Sequence, residues 1–377
     1  MTNDRHQPWI TMQSQEKVVN HESLREFSAQ VLRKLKVPQE EAEITSDVLV
    51  TADLRGIESH GVSRLPRYAK RLMNGWIPPR ARLTVSRETA VSLLMDGHNS
   101  LGQVAAYDAM RRCIEKAKNS HIGFATVANS NHIGIAGYYA MMALKEDMIG
   151  LCMTNAWPLV VPTFGIEPIL GTNPIAISVP AMNEPPFVLD MATSVVPIGK
   201  MEVYERQGKA VPTGWAINGD GDSALDTETV MRSVYKTKRG GLLPLGGLEE
   251  TAGYKGYGLS LLVDILSGIL PNAAYGPYVG TPEDPKPSNI GHFFGALDIN
   301  AFTPVDEFKE RMDIMMKSIK GSAKTRGQDR IYVSGEKEWE LEKQYRKTGI
   351  PLHLKVWESL RELSRQLSVE FGALDAM

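Results

Sequence analysis

The apolar positions at the start of the chain recur at helical spacing. Leu24, Phe27, Val31 and Leu35 line one face of a helix predicted over 23–36, and Ser23-Leu24-Arg25-Glu26 has the form of a capping box at its start. Pro38 opens a second helix, with Glu40 and Glu41 in its first turn, Ile44, Val48 and Ala52 as its apolar stripe and Gly56 as its stop. The polar segment Glu58-Ser59-His60-Gly61 leads into a third helix around 63–74, ending at Gly75. From about residue 83 the period changes. Strand-like runs appear at 90–95, 123–128, 149–154, 174–180 and 186–191, with helical patterns over 104–119 and 135–147.

Residues 204–253 are polar and glycine-rich, with a helix near 225–235, and 255–270 read as a strongly apolar helix. The stretch 271–290 carries Pro271, Pro277, Pro282, Pro285 and Pro287 and reads as a long loop, a lid or partner-contact segment. A strand over 291–299 follows, then helices near 304–320, 336–347 and 353–371, with Met312, Met315 and Met316 as core positions. Strands interleaved with helices predict an α/β domain over 83–299. The helices of 22–82 and 300–377 are expected to join as one discontinuous helical domain, preceded by a polar arm over 1–21.

Composition narrows the class. The 377 residues hold 42 Lys plus Arg against 44 Asp plus Glu, a net charge of −2. That balance argues against a protein that coats nucleic acid or an anionic membrane, and leaves room for a small anionic ligand. The two cysteines, Cys113 and Cys152, are too few for a disulfide framework and read as small buried hydrophobes. The sequence contains no apolar run of ~18 residues and residues 1–20 contain no continuous apolar core of a secretory signal, so a cytoplasmic protein is expected.

Several common chemistries have no motif here. There is no G-x-G-x-x-G after a strand, no phosphate-loop pattern, no G-x-S-x-G elbow and no zinc-ligand spacing, so no metal is expected. What remains is a set of polar residues among glycines. His60 lies between two helices with Arg64 four residues on; a histidine moves protons near neutral pH, and an arginine fork holds a carboxylate. A helix-capping histidine and a surface ion pair are the plainer alternative.

Asn129-Ser130-Asn131-His132 follows a strand and opens a helix, the place where α/β proteins gather ligands, though Ser130 or Asn131 as a simple cap fits equally. Gly171-Thr172-Asn173-Pro174 reads as a turn into a strand. Asp190 ends an apolar strand, where an unpaired carboxylate is costly, so it should bond a histidine, a ligand hydroxyl or a helix start. Lys255, among three glycines at the start of the apolar helix, suits an anionic phosphate.

Taken together and in this order, these segments resemble the malate/L-lactate dehydrogenase family of the non-Rossmann type, whose members include ureidoglycolate dehydrogenase, sulfolactate dehydrogenase, 2,3-diketo-L-gulonate reductase and piperideine-2-carboxylate reductase. The resemblance spans roughly residues 22–365. It rests on ESHGVSRLPRY (58–68), SNHIGIAGYY (130–139), GTNPIAISVP (171–180), LDMATS (189–194), GYKGYGLSLLVDIL (253–266) and GHFFGALDI (291–299). It implies an α/β fold of the L-sulfolactate-dehydrogenase type, with 83–299 as the NAD(P)-binding domain, and a homodimer.

The implied reaction is hydride transfer between NAD or NADP and a small 2-hydroxy or 2-oxo acid of malate or lactate type. Reduction of a cyclic imine carboxylate and ureidoglycolate oxidation are the alternatives. By the same resemblance His60 or His132 is the proton donor, Arg64 holds the substrate carboxylate, and Asn173, Asp190, Met191, Ala192, Thr193, Lys255, Gly335 and Glu336 contact the cofactor. Two departures stand out. The chain has Thr154-Asn155-Ala156 where relatives often read Thr-Asn-Ser, and Ser334-Gly335-Glu336 where they read Pro-Gly-Glu, which should loosen that turn.

Overall fold

The computed structural model describes residues 16–374. In chain order the elements are β1 (Glu16–Val19), α1 (His21–Lys34), α2 (Gln39–Leu54), α3 (Leu65–Met73), β2 (Thr84–Glu88), β3 (Ser92–Asp96), α4 (Gly102–Ser120), β4 (Ile122–Ser130) and α5 (Ala136–Met142). There follow β5 (Met148–Thr154), β6 (Ile175–Val179), β7 (Phe187–Met191), α6 (Ile198–Gln207), β8 (Ala216–Ile217), α7 (Thr227–Arg232), β9 (Gly241–Leu242) and α8 (Gly253–Asp264). The chain closes with β10 (Ile290–Asp298), α9 (Val305–Gly321), α10 (Glu336–Thr348), β11 (Ile350–His353) and α11 (Leu354–Leu367). These elements fall into two compact units, one made of residues up to Met73 and from Glu338 onward, the other of Asn74–Lys337.

The first unit is helical with one small sheet. Helix α1 begins two residues before the expected capping box. Its cap is Asn20, whose side chain accepts the N–H groups of Glu22 at 2.8 Å and Ser23 at 3.1 Å. Residues 16–19, read from sequence as part of a polar arm, form β1 and pair antiparallel with β11, Val19 opposite Ile350. The rest of that arm, 1–15, lies outside the described residues. Leu24, Phe27, Val31, Val48, Leu49, Leu65, Leu72, Trp357 and Leu360 are buried. Phe27 and Trp357 both present edges to Phe371, at 5.4 and 4.8 Å between ring centroids. The nearly buried guanidinium of Arg55 pairs with Glu342 at 3.1 Å, joining α2 to α10.

The second unit is built on a seven-stranded sheet of order β2-β3-β4-β10-β5-β6-β7. Only β3 and β4 run parallel; every other pairing is antiparallel. This is not a doubly wound parallel sheet, which agrees with the missing glycine fingerprint. Helix α8 covers part of the sheet through Val263, which packs with Met153 and Ile175.

Helix α9 corrects the expected division of the chain, because it belongs to this unit and not to the helical one. The reason is polar. The carboxylate of Asp313 accepts the backbone N–H groups of Met182, Asn183 and Glu184 at 3.0–3.2 Å, latching the β6–β7 connection, while Lys309 pairs with Asp147 at 2.8 Å and Lys320 with Glu184. The expected methionine core is also reduced: Met316 is buried, whereas Met315 is 47% exposed.

Candidate active site

In the helical unit the segment between α2 and α3 folds as two 3-10 turns, Glu58–His60 and Val62–Arg64. Asp53, on the last turn of α2, holds it from behind: Val62 N–H donates to Asp53 Oδ2 at 2.8 Å. Gly61 is required by this approach, since a Cβ there would lie 1.8 Å from Asp53 Oδ1. Burial raises the Asp53 carboxyl to about 8, so it is protonated at neutral pH. Ser59 Oγ lies 2.8 Å from His60 Nδ1, and Arg64 Nε donates to Ser59 O at 2.5 Å. Serine, histidine and arginine are thereby fixed as one group. Burial, reinforced by the charges of Arg64 and Arg67, lowers His60 to about 4.

In the sheet unit His132 follows the end of β4. The loop before it is fixed by Asn131, whose amide donates to Asn99 O, Asn99 Oδ1 and Ser100 O, each at 2.9 Å. Gly134 N–H donates to His132 Nδ1 at 3.2 Å, which puts the proton of the neutral ring on Nε2. Asp190, at the end of β7, accepts Gly137 N–H at 2.7 Å and so ties the start of α5 to the sheet edge. Met191 and Ala192 are half-buried beside it.

Three of the expected cofactor contacts are taken up inside the protein. Asn173 is fully buried; its Oδ1 accepts Ala156 N–H at 3.1 Å and its Nδ2 donates to Ser260 O, Ser260 Oγ and Asp264. Thr193 is fully buried, with its hydroxyl donating to Asn173 O at 3.0 Å. Glu336 is 6% exposed, and its carboxylate meets Arg330 at 2.8 Å, Lys320 at 3.3 Å and Val333 N–H at 3.1 Å. These hydrogen bonds shape the turns on which the three residues sit.

Gly335 takes a φ of +89°, and Val188 N–H donates to Ser334 O at 3.0 Å, so the turn stays pinned without its proline. Lys255 is exposed on the first turn of α8, its Nζ 6.0 Å from the Tyr254 ring centroid, and that helix has no side-chain cap.

Two residues with structural consequence were not singled out by sequence. Asp264 is 4% exposed; its Oδ1 accepts Asn155 Nδ2 at 3.0 Å and Gly276 N–H at 3.3 Å, and its Oδ2 accepts Asn173 Nδ2 at 3.2 Å. Asn155 in turn donates to Ala274 O at 2.7 Å and accepts Gly291 N–H at 3.0 Å, anchoring the start of the 271–290 loop. Burial raises the Asp264 carboxyl above its ordinary range against these hydrogen bonds. His292 is fully buried with Nδ1 2.8 Å from Thr154 Oγ1, and burial lowers it to about 3, so it is neutral. Both had a signal: an acid inside an apolar helix and a histidine inside an apolar strand each need a buried partner. Among the described residues no group of three or more His, Cys, Asp or Glu side chains is placed to hold a metal ion.

The sequence profile of the malate/L-lactate dehydrogenase family matches residues 19–361. A malate dehydrogenase from Pyrococcus horikoshii is 50% identical over 345 residues, 91% of this chain and 94% of that one. A malate/(S)-sulfolactate dehydrogenase from Methanothermus fervidus is 38% identical over 94% of this chain and 99% of its own. The crystal structure of malate dehydrogenase from Entamoeba histolytica superposes with a TM-score of 0.92 at 39% identity, covering 95% of this chain and 99% of that one.

The chain therefore belongs to the malate/L-lactate dehydrogenase family. It is an oxidoreductase that transfers hydride between a nicotinamide cofactor and a small 2-hydroxy or 2-oxo carboxylic acid.

Proposed function

We propose that His60 is the proton donor and acceptor of this reaction and that Arg64 holds the substrate carboxylate. The observation that carries this is the Ser59–His60–Arg64 group, in which one serine bonds the ring through its hydroxyl and the guanidinium through its carbonyl. Arg64, fixed beside the His60 ring through Ser59, brings a guanidinium that suits a substrate carboxylate. The bound carboxylate offsets the arginine charge that depresses His60, so the ring takes up a proton and releases it from Nε2 to the oxygen forming at C2. In the oxidative direction the neutral ring receives it.

The donor set of the sheet unit fits a dinucleotide. Lys255 on the uncapped first turn of α8 suits an anionic phosphate, and Met191 and Ala192 offer a half-buried apolar edge. NAD or NADP, when bound, supplies or accepts the hydride. His132, with its proton set on Nε2, serves as a hydrogen-bond donor to the substrate or cofactor.

The test is His60→Asn beside His132→Asn. The His60 variant is expected to lose ~10²–10⁴-fold in kcat, the usual worth of general acid–base catalysis, and the His132 variant less. The opposite ranking overturns the assignment, and losses below tenfold in both folded proteins place the proton donor elsewhere.

The working form we infer is a homodimer. Leu259, Leu261 and Leu262 of α8 and Ile265 just after it are exposed large apolar side chains, which a second copy would cover. Leu262→Glu is expected to give a monomer by light scattering, and an unchanged mass would contradict this. The two buried free thiols, Cys113 and Cys152, suit the reducing cytoplasm.

A further inference from the structure

Helix α5 carries two consecutive tyrosines, and the second is turned fully inward. The Tyr139 ring is 0% exposed and is held by edge contacts with Tyr138 and Phe294, at 5.3 and 6.1 Å between ring centroids. A buried phenol needs an acceptor, and this one donates to Ile133 O at 2.6 Å. Ile133 C=O and Gly134 N–H are the two ends of one planar peptide group. Its N–H end donates to His132 Nδ1 at 3.2 Å. A single peptide unit therefore stands between the Tyr139 hydroxyl and the His132 ring, with the phenol on its oxygen and the imidazole on its hydrogen.

The residue that closes this peptide does not by itself fix which way it faces. Gly134 has a φ of +80°, and a glycine takes positive and negative φ about equally well. Turned over, the peptide would present its carbonyl to Nδ1. A neutral ring would then carry its proton on Nδ1 and leave Nε2 as an acceptor. A hydrogen bond on the carbonyl oxygen opposes that turn and, by polarising the amide, strengthens its N–H as a donor. We propose that Tyr139 is a positioning residue that selects the tautomer of His132, keeping the proton on Nε2 so that the ring meets the substrate or cofactor as a donor. The consequence for turnover rests on the reading of His132 given above; the choice of tautomer does not.

The experiment records proton–nitrogen correlation spectra of the histidine rings in isotope-labelled protein at pH 8.5, where protonated and unprotonated ring nitrogens resonate far apart. His132→Asn identifies the His132 signals, and circular dichroism checks folding. The wild type is expected to show Nε2 protonated. Tyr139→Phe keeps the ring and removes only the hydroxyl; it is expected to move the His132 signals toward the Nδ1-protonated form and to lower kcat/KM about 3- to 10-fold, the worth of one hydrogen bond. Added to His132→Asn, the same substitution should cost nothing further, because the tyrosine acts through that ring. A Tyr139→Phe protein of lower Tm with an unmoved tautomer makes the tyrosine a packing residue and overturns the proposal. So does a wild type protonated on Nδ1, a result that needs no substitution. Losses that multiply in the double variant overturn its action through His132. A His132→Asn protein as active as wild type overturns the reading beneath it, while the spectra still decide the tautomer.

Discussion

Asp53 and Val62 are joined by a 2.8 Å hydrogen bond from the Val62 N–H to a buried carboxyl, and the strongest charge acting on that carboxyl is another acid, Glu58. An ionised acid buried at the C-terminal end of a helix is penalised by desolvation and by the helix dipole, so this acid is held in its protonated form. It persists here because the backbone it holds lies between His60 and Arg64.

That arrangement has a pH signature. The unfolded carboxyl ionises near 3.8 and the folded one at about 8, so between these values the folded state holds a proton that the unfolded chain has lost. Its contribution to stability is complete below the lower value and disappears as pH rises through the upper one, with a slope of up to about 1.4 kcal/mol per pH unit. His60 and His292, both held below 6.5, are neutral in either state above pH ~7, so they add no slope there. Urea unfolding of the wild type at pH 7, 7.75 and 8.5 should show declining stability, and Asp53→Asn, which still accepts the Val62 N–H, should flatten the decline. Parallel slopes in the two proteins would count against this account.

Substrate binding should draw in a proton. Burial and the charges of Arg64 and Arg67 depress His60, and a carboxylate among them removes the charge component. Calorimetric titration with oxamate at pH 6, in buffers of different ionisation enthalpy, should report net proton uptake in the wild type and none in His60→Asn. Equal uptake in both proteins would assign the proton to another group.

The Asp264 network predicts a stability effect confined to the sheet unit. Asp264→Ala leaves an Asn155 amide hydrogen and the Gly276 N–H without their shared acceptor, while the Asn173 amide keeps Ser260. At about 1–3 kcal/mol for each stranded donor, a loss of about 2–5 kcal/mol is expected. Thermal unfolding monitored by tryptophan fluorescence would register it, and a melting temperature within a degree of wild type would show that the network is dispensable.

The sequence was most legible where periodicity is local. The stripes of α1 and α2 and the apolar runs of β3 to β7 mark those elements within a few residues, because burial on one face dictates the pattern. The four-residue strands β1 and β11 escaped, since each is too short to show a period and they pair across 330 residues of chain. The polar arm could not reveal that Asn20, and not Ser23, caps α1. At the site, the resemblance points to Asn173, Thr193 and Glu336 as ligand contacts, and the structure adds that each also bonds backbone or side chains of its own unit, which the sequence does not show. A polar residue next to a glycine turn looks the same in sequence whether it faces a ligand or the turn itself. Asp264 carried the clearer signal, an acid inside LSLLVDIL, which burial forces into a network.

The most direct test of the central claim follows absorbance at 340 nm as NADH or NADPH is mixed with oxaloacetate, pyruvate, 2-oxoglutarate, sulfopyruvate or piperideine-2-carboxylate. The account predicts oxidation of one reduced cofactor by an open-chain 2-oxo acid, lost in His60→Asn and in Arg64→Gln. Turnover of the cyclic imine alone, or activity that survives both substitutions, would contradict it.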